Sequence, residues 1–288
     1  MLGSAYIELD YGGGYVDVWN DPAFVVPDYV FCLGKEPLKS NPDGLWGHAL
    51  IELMKRGSKL IMADPRVNWL ATRADQVLQV LPGTDAALCL AILNVLVDED
   101  LVDHDFIEKW CYGYDELVER VQEYTPEFAA ATCGISADDI RTCARKLGYD
   151  GVHHWSLLMG VAVDQNPNGC QVTQCLIAMA AITGNLDVPG GTVVGVQMQF
   201  EMTGATDFMS EELKNKCIGW DVYPIVKVLL NTTHPDITLE ALETGRPYEL
   251  KMAWLDSTNL LSPTCSAQPK RWHDALMRWN SPWPRKCS

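Results

Sequence analysis

The sequence has little positive charge, no closely spaced cysteine pair and no long apolar run, and each shortfall removes a class of function. It sets 22 basic residues against 38 acidic ones, a formal net charge of -16. A field of that sign repels phosphate backbones and anionic membrane surfaces, so nucleic acid is not expected as a partner. Ten cysteines, at 32, 89, 111, 133, 143, 170, 175, 217, 265 and 287, never fall at C-x-x-C spacing, the spacing that a zinc or iron–sulfur loop uses. The nearest pair, Cys170 and Cys175, sits in the apolar helical stretch "NGCQVTQCLIAMAAITG" and reads as core thiols. No apolar run reaches the ~18 residues of a membrane span, so direct membrane insertion is not expected. The first residues, "MLGSAYIELDYGGGY", lack the basic and apolar regions of a signal peptide, and the chain reads as soluble, with any targeting signal left to sequence upstream. The G-x-G-x-x-G fingerprint is also missing, which argues against a nicotinamide dehydrogenase.

What is present is a series of short apolar runs separated by helical patterns. Hydrophobic residues make up 48% of the chain, enough for a sizeable core. "YVFCLG" (Tyr29 to Gly34), "KLIMA" (Lys59 to Ala63) and "QVLQVL" (Gln76 to Leu81) are bounded by turn residues and read as buried strands. Leu45, Trp46, Ala49, Leu50, Leu53 and Met54 form one face of a helix between the first two, and a further helix starts at Thr84. Helices are expected over 103–110, 115–123, 126–132 and 136–147, then a strand in "VHHWSLLMG", a helix over about 167–183, a Gly-rich loop "TGNLDVPGGT" and a last strand in "ELKMAWL". His153 and His154 are expected to be packed or solvated on the strand, pointing to opposite faces. The fold class is α/β: two related Rossmann-like units with parallel sheets, the second incomplete. Residues 1–27 form an irregular leading segment, 28–150 the first unit, and 151–288 the second, short of strands at its C-terminal end.

In such sheets ligands bind at the carboxyl ends of the strands. Asp64 follows "KLIMA" directly, where an acceptor-only carboxylate suits the donors of a ribose or a guanine edge. Pro65 keeps the turn out of helix, and Arg66 brings a bidentate fork suited to phosphate or carboxylate. In "PGTD", Gly83 lets the backbone approach a ligand, Thr84 is placed to cap a helix, and Asp85 lies in its first turn. Together with the "GKEPLKSNPDG" loop after the first strand, these make a nucleotide-sized cleft.

The segments "SNPDG", "IMADPRVNWLATRAD", "LPGTDAAL", "HDFIEKWCYGYDEL" and "ITGNLDVPGGT" together resemble the catalytic subunit of molybdopterin oxidoreductases of the dimethyl sulfoxide reductase family. The likeness runs in order from about residue 25 to about residue 277, and is greatest to the acetylene hydratase and catechol dehydroxylase-like branch. It implies an enzyme of anaerobes carrying a bis(molybdopterin guanine dinucleotide) with molybdenum or tungsten, doing two-electron chemistry on a small organic substrate, cytoplasmic or periplasmic. By that resemblance Lys35 and Asn41 line the first loop, Asp64 and Arg66 the second, and Gly83 and Asp85 the third. Gly160 and Gln165, with Gly184 and Asn185, would touch the second dinucleotide, as would Asn259 in "WLDSTNLL", where Ser257 and Leu260 replace the family's Gly and Pro. The resemblance also implies a [4Fe–4S] cluster in the complete subunit but not in this chain, no metal ligand here, and an iron–sulfur electron-transfer subunit as a partner. The departures around 279–288 suggest a truncated or frame-shifted product, and a catalytically inert nucleotide-binding fragment is the alternative reading. On this reading the 288 residues purified alone hold less than one molybdenum or tungsten per chain and turn over no artificial electron donor. Elemental analysis beside a dye-linked assay checks both, and one metal per chain with turnover would refute it.

Overall fold

The computed structural model describes residues 7–9, 25–40, 45–194, 208–223, 233, 235–255, 258–262 and 268–278. Two compact units divide the chain, Met1–Gln197 and Met198–Ser288. The first contains a four-stranded, all-parallel sheet built from β2 (Tyr29–Leu33), β3 (Lys59–Ala63), β4 (Gln76–Leu78) and β5 (Trp155–Met159), in the order β4-β3-β2-β5. A short antiparallel pair joins β1 (Ile7–Leu9) to β6 (Thr192–Val194), so the leading segment, read as irregular, includes a strand.

The apolar runs are continuous because the central strands are covered on both faces. Phe31, Leu33, Ile61, Ala63 and Leu78 point into one core with α3 (Asp85–Asp98), α6 (Pro126–Cys133), α7 (Ala137–Leu147) and α9 (Gly169–Ile182). The alternate residues Val30, Cys32, Leu60 and Met62 pack on the other face against Ala49, Leu50 and Leu53 of α2 (Leu45–Lys55). Burying each large side chain contributes roughly 1.5–3 kcal/mol. The connection from β2 to β3 thus runs over one face, while the long excursion from β4 through α3, α4 (His104–Trp110), α5 (Tyr114–Val121), α6 and α7 returns over the other to β5. The chain therefore reverses its winding between β2 and β5, a topological switch point.

The two edges of the sheet are closed by side chains. At β4, the Gln76 amide donates to the Asp139 carbonyl (2.7 Å) and Lys146 pairs with Asp75 (2.6 Å), tying α7 alongside. At β5, the backbone N–H of Trp155 donates to Asn185 Oδ1 (3.0 Å) and that of Leu157 to Thr192 Oγ1 (3.0 Å), while Ser156 Oγ donates to the Gly191 carbonyl (2.6 Å). The Gly-rich loop thus takes the place of a further strand and covers an edge that would otherwise invite pairing with another chain.

Several sequence expectations are corrected here. The strand expected to open a second unit near 151 pairs instead with β2, from Tyr29 opposite Trp155 to Leu33 opposite Met159, because the return crossover brings it back to the first sheet. The third strand stops at Leu78, where the Val80 N–H turns back to the Leu78 carbonyl (2.9 Å). The histidines precede β5 rather than lying in it: His153 is exposed beside Asp150, and His154 is half-buried with Nδ1 3.2 Å from Asn185 Oδ1. In the second unit the described elements are α10 (Glu211–Lys214), α11 (Pro235–Thr244) and α12 (Pro269–Arg278). The strand expected in "ELKMAWL" is absent among the described residues: with no ladder partner beside it, the run leaves Met252, Trp254 and Leu255 exposed.

Asn185, 1% exposed, has its side chain wholly engaged, Oδ1 at Trp155 and Nδ2 donating to the Thr183 carbonyl (2.9 Å). Asn185→Ala would strand a buried backbone donor, and a loss of roughly 2 kcal/mol is expected. An unchanged urea midpoint would contradict the edge-closing role.

Candidate functional site at the carboxyl edge

The exits of β2 and β5 meet at two glycines. Gly34 has φ +63° and donates its N–H to the Ala63 carbonyl (3.3 Å), while the Gly160 N–H donates to the Leu33 carbonyl (3.0 Å). A Cβ at 160 would stand 2.2 Å from the Gly34 carbonyl oxygen and 2.6 Å from Lys35 Cβ. Gly160 is therefore required by backbone packing, which is a different reason from ligand contact. Beyond it lie half-buried Lys35 and then Glu36, which is 5% exposed. The Glu36 carbonyl caps α1 (Pro37–Ser40) by accepting from Lys39 and Ser40 N–H groups. Its carboxylate oxygens have no hydrogen-bond partner, and Lys39 Nζ lies 3.6 Å away. The Cys32 thiol beneath is pushed up to about 12 by burial, so it is a packed thiol rather than a nucleophile.

The next two exits each supply an acid. Asp64, buried, accepts from the Arg66 N–H (2.7 Å) and Arg66 Nε (3.3 Å) through Oδ1, a local turn that holds the carboxylate at the strand end. Arg66 keeps an exposed guanidinium whose pKa is raised by this bond to Asp64. Gly83, at φ +84°, has open space where a Cβ would be. Thr84 occupies the capping position of α3 but its hydroxyl donates to the Leu81 carbonyl (2.7 Å), so it does not cap the helix as expected from the sequence. Asp85, the first residue of α3, accepts from Asn166 Nδ2 (3.0 Å). Burial pushes the Asp85 carboxyl above the ordinary range, the bond from Asn166 opposes that, and the negative charge of Asp64 adds to it. The last exit runs through α8 (Val161–Asp164) to exposed Gln165 and to Asn166, whose Oδ1 accepts from the Asn168 N–H (3.1 Å).

Of the residues singled out by sequence, Lys35, Asp64, Arg66, Gly83, Asp85, Gly160 and Gln165 thus belong to the carboxyl edge. Gly184 and Asn185 do not join them. They lie at the amino end of β5, where Asn185 binds Trp155, and a Cβ on Gly184 (φ +64°) would meet Asp103 Oδ2 at 2.4 Å. Asn41 falls outside the described residues. Asn259 is an exposed residue of the second unit whose carbonyl accepts from the Ser262 N–H (3.0 Å). Sequence reasoning missed Glu36 and Asn166. Glu36 stood between two motif residues in "GKEPLKS", and Asn166 directly after Gln165, but the burial of the first and the reach of the second to Asp85 leave no mark in the local sequence. Among the described residues no three His, Cys, Asp or Glu side chains are grouped to hold a metal, and no helix is long and apolar enough to cross a membrane.

A parallel sheet with acids at successive strand exits beside a switch point has the layout in which open α/β sheets place their ligands. A family model for molybdopterin oxidoreductase matches residues 14–260, and the chain belongs to that family. It is 31% identical over 234 residues to acetylene hydratase of Syntrophotalea acetylenica, covering 72% of this chain and 32% of that protein. It is 33% identical over 197 residues to a formate dehydrogenase alpha subunit of Methanococcus maripaludis, covering 68% and 28%. The solved structure of acetylene hydratase from Pelobacter acetylenicus superimposes with a TM-score of 0.64 at 28% identity, over 79% of this chain and 34% of that one. The chain thus spans a minor part of the length of the relatives it matches, and these relatives are enzymes.

The raised carboxyl of Asp85 makes a signed prediction. A carboxylate whose folded pKa is raised contributes stability that is fully present below its unfolded pKa, about 4, and is lost as pH rises through the folded value. At neutral pH the ionised group is therefore a net cost. Asp85→Asn is expected to raise the urea midpoint at pH 7, with the gain shrinking toward pH 4. A gain that does not vary with pH would show that Asp85 is not held in this environment.

Proposed function

We propose that the carboxyl edge of the sheet holds the guanosine diphosphate end of one molybdopterin guanine dinucleotide, within a bis(molybdopterin guanine dinucleotide) centre of molybdenum or tungsten. The observation that carries this reading is the set of carboxylates at three successive exits, Glu36, Asp64 and Asp85, with the last two close enough for their charges to interact. Acceptor-only groups fit a donor-rich ligand, such as ribose hydroxyls and the N–H edge of guanine. The buried Glu36 oxygens, lacking any hydrogen bond, supply the test of fit, because a carboxylate so placed gains most from incoming donors. Lys35 and Arg66 add positive charge beside these acids, suited to phosphates. In this arrangement Asp64 and Asp85 orient the nucleoside, Gly83 leaves the approach open, and Gly160 keeps the two loops together.

When bound, the metal centre supplies the two-electron chemistry on a small organic substrate, and this chain supplies grip and orientation. In the complete subunit a [4Fe–4S] cluster and an iron–sulfur electron-transfer partner would connect the site to a donor or acceptor. That one relative is the molybdopterin-containing subunit of a thiosulfate reductase favours a multi-subunit context.

Titration calorimetry of the 288-residue chain with GDP and ADP tests the reading. GDP is expected to bind in preference to ADP, and Asp64→Asn or Asp85→Asn to weaken GDP by about tenfold, the loss of one charge-assisted bond. Equal affinity for the two nucleotides, or variants that bind GDP as the wild type does, would refute it.

A further inference from the structure

The Asn166 side chain bridges the exits on either side of the switch point. It lies 81 residues from Asp85 in sequence and comes from the loop after β5, yet its Nδ2 donates to Asp85 Oδ2 at 3.0 Å. Its own Oδ1 is taken by the Asn168 N–H just before α9. The amide is therefore oriented from both ends, its oxygen held by the Asn168 N–H and its nitrogen placed on Asp85. We propose that Asn166 is a positioning residue, holding the Asp85 carboxylate ionised and fixed in plane so that its remaining acceptor capacity meets the donors of a bound guanosine.

This inference rests on the nucleotide reading for its ligand and on the bond itself for its mechanism. Other groups act on Asp85 too. Asp64 contributes like charge from the β3 exit, and the thiols of Cys89 in α3 and Cys133 in α6 face it from within the core. Both thiols are raised by burial and stay neutral, so burial and then the Asp64 charge are what the Asp85 backbone N–H and the Asn166 donor together offset. A single neutral donor suits this task. A cation at 166 would fill the carboxylate's acceptor sites and compete with the ligand, whereas an apolar residue would leave burial and Asp64 to drive protonation.

The test follows the Asp85 side-chain carboxyl by 13C NMR titration in the wild-type chain, Asn166→Ala and the isosteric Asn166→Asp, with GDP affinity measured across the same pH range. Asn166→Ala is expected to move the Asp85 midpoint upward, and Asn166→Asp to move it further, because a second carboxylate replaces the donor. GDP binding should weaken by about tenfold at neutral pH, and the pH at which binding is half-maximal should rise with the Asp85 midpoint, a coupling that a merely structural role would not produce. If the Asp85 midpoint is the same in all three proteins, the positioning role is overturned, whatever happens to affinity. If the midpoint moves and Asp85→Asn weakens GDP, but Asn166→Ala binds GDP as the wild type does, positioning for the ligand is overturned. If no form binds GDP, the nucleotide reading falls, and the NMR midpoint alone decides whether the link to Asp85 stands.

Discussion

The contact between Gly34 and Gly160 is the constraint on which the rest of the site depends. With a carbonyl oxygen 2.2 Å from where a side chain would begin, no other residue at 160 lets the β2 and β5 exits run together. Because they do, the loop carrying Lys35 and Glu36 and the loop carrying Gln165 and Asn166 leave the sheet from neighbouring strands. Asn166 can then reach Asp85, which follows the strand at the far side of the sheet. Crowding of backbone at one point thus assembles polar groups from distant parts of the sequence.

The electrostatics of that edge run against the usual expectation for a protein that binds a phosphate-bearing ligand. Three acids gather where the overall charge is already negative. With the proposed nucleotide, such a site would discriminate by hydrogen-bond donors and leave charge attraction to Lys35 and Arg66. Arg66 is partly committed to Asp64, so the acid and the base define one another's orientation before any ligand arrives. The resulting selectivity would rest on the shape and donor pattern of a nucleoside more than on the number of its phosphates.

Much of this was legible in the sequence for a simple reason: strands and helices announce themselves through local periodicity. "YVFCL", "KLIMA" and "WSLLM" are apolar without alternation because both sheet faces are covered, and Asp64 and Asp85 were recognisable from standing just after a strand and at a helix start. Sheet order is a different kind of information. Nothing in the run around Trp155 says that it pairs with Tyr29 rather than opening a new sheet, so Asn166 was invisible as a partner of Asp85. Asn185 shows a related limit of local reading: its bond to the Trp155 N–H at the strand edge could not be read from the Gly-Asn turn itself. In "ELKMAWL" local β propensity was real, but a strand also needs a neighbour.

The sheet order also fixes a sequence of assembly. β2, β3 and β4 lie within 50 residues of one another, whereas β5 reaches β2 from across 126 residues, as the bond from the His154 N–H to Asp28 shows. Closing so long a loop costs entropy before its contacts repay it. During synthesis β2, one of the two inner strands of the finished sheet, therefore begins as an outer one, with its open side unpaired until residue 159 has emerged and α3 to α7 have packed. Until then, the switch-point crevice does not exist. The proposed nucleotide would stabilise the chain only late, after β5 has docked, and the half-built sheet is the species that a chaperone would meet.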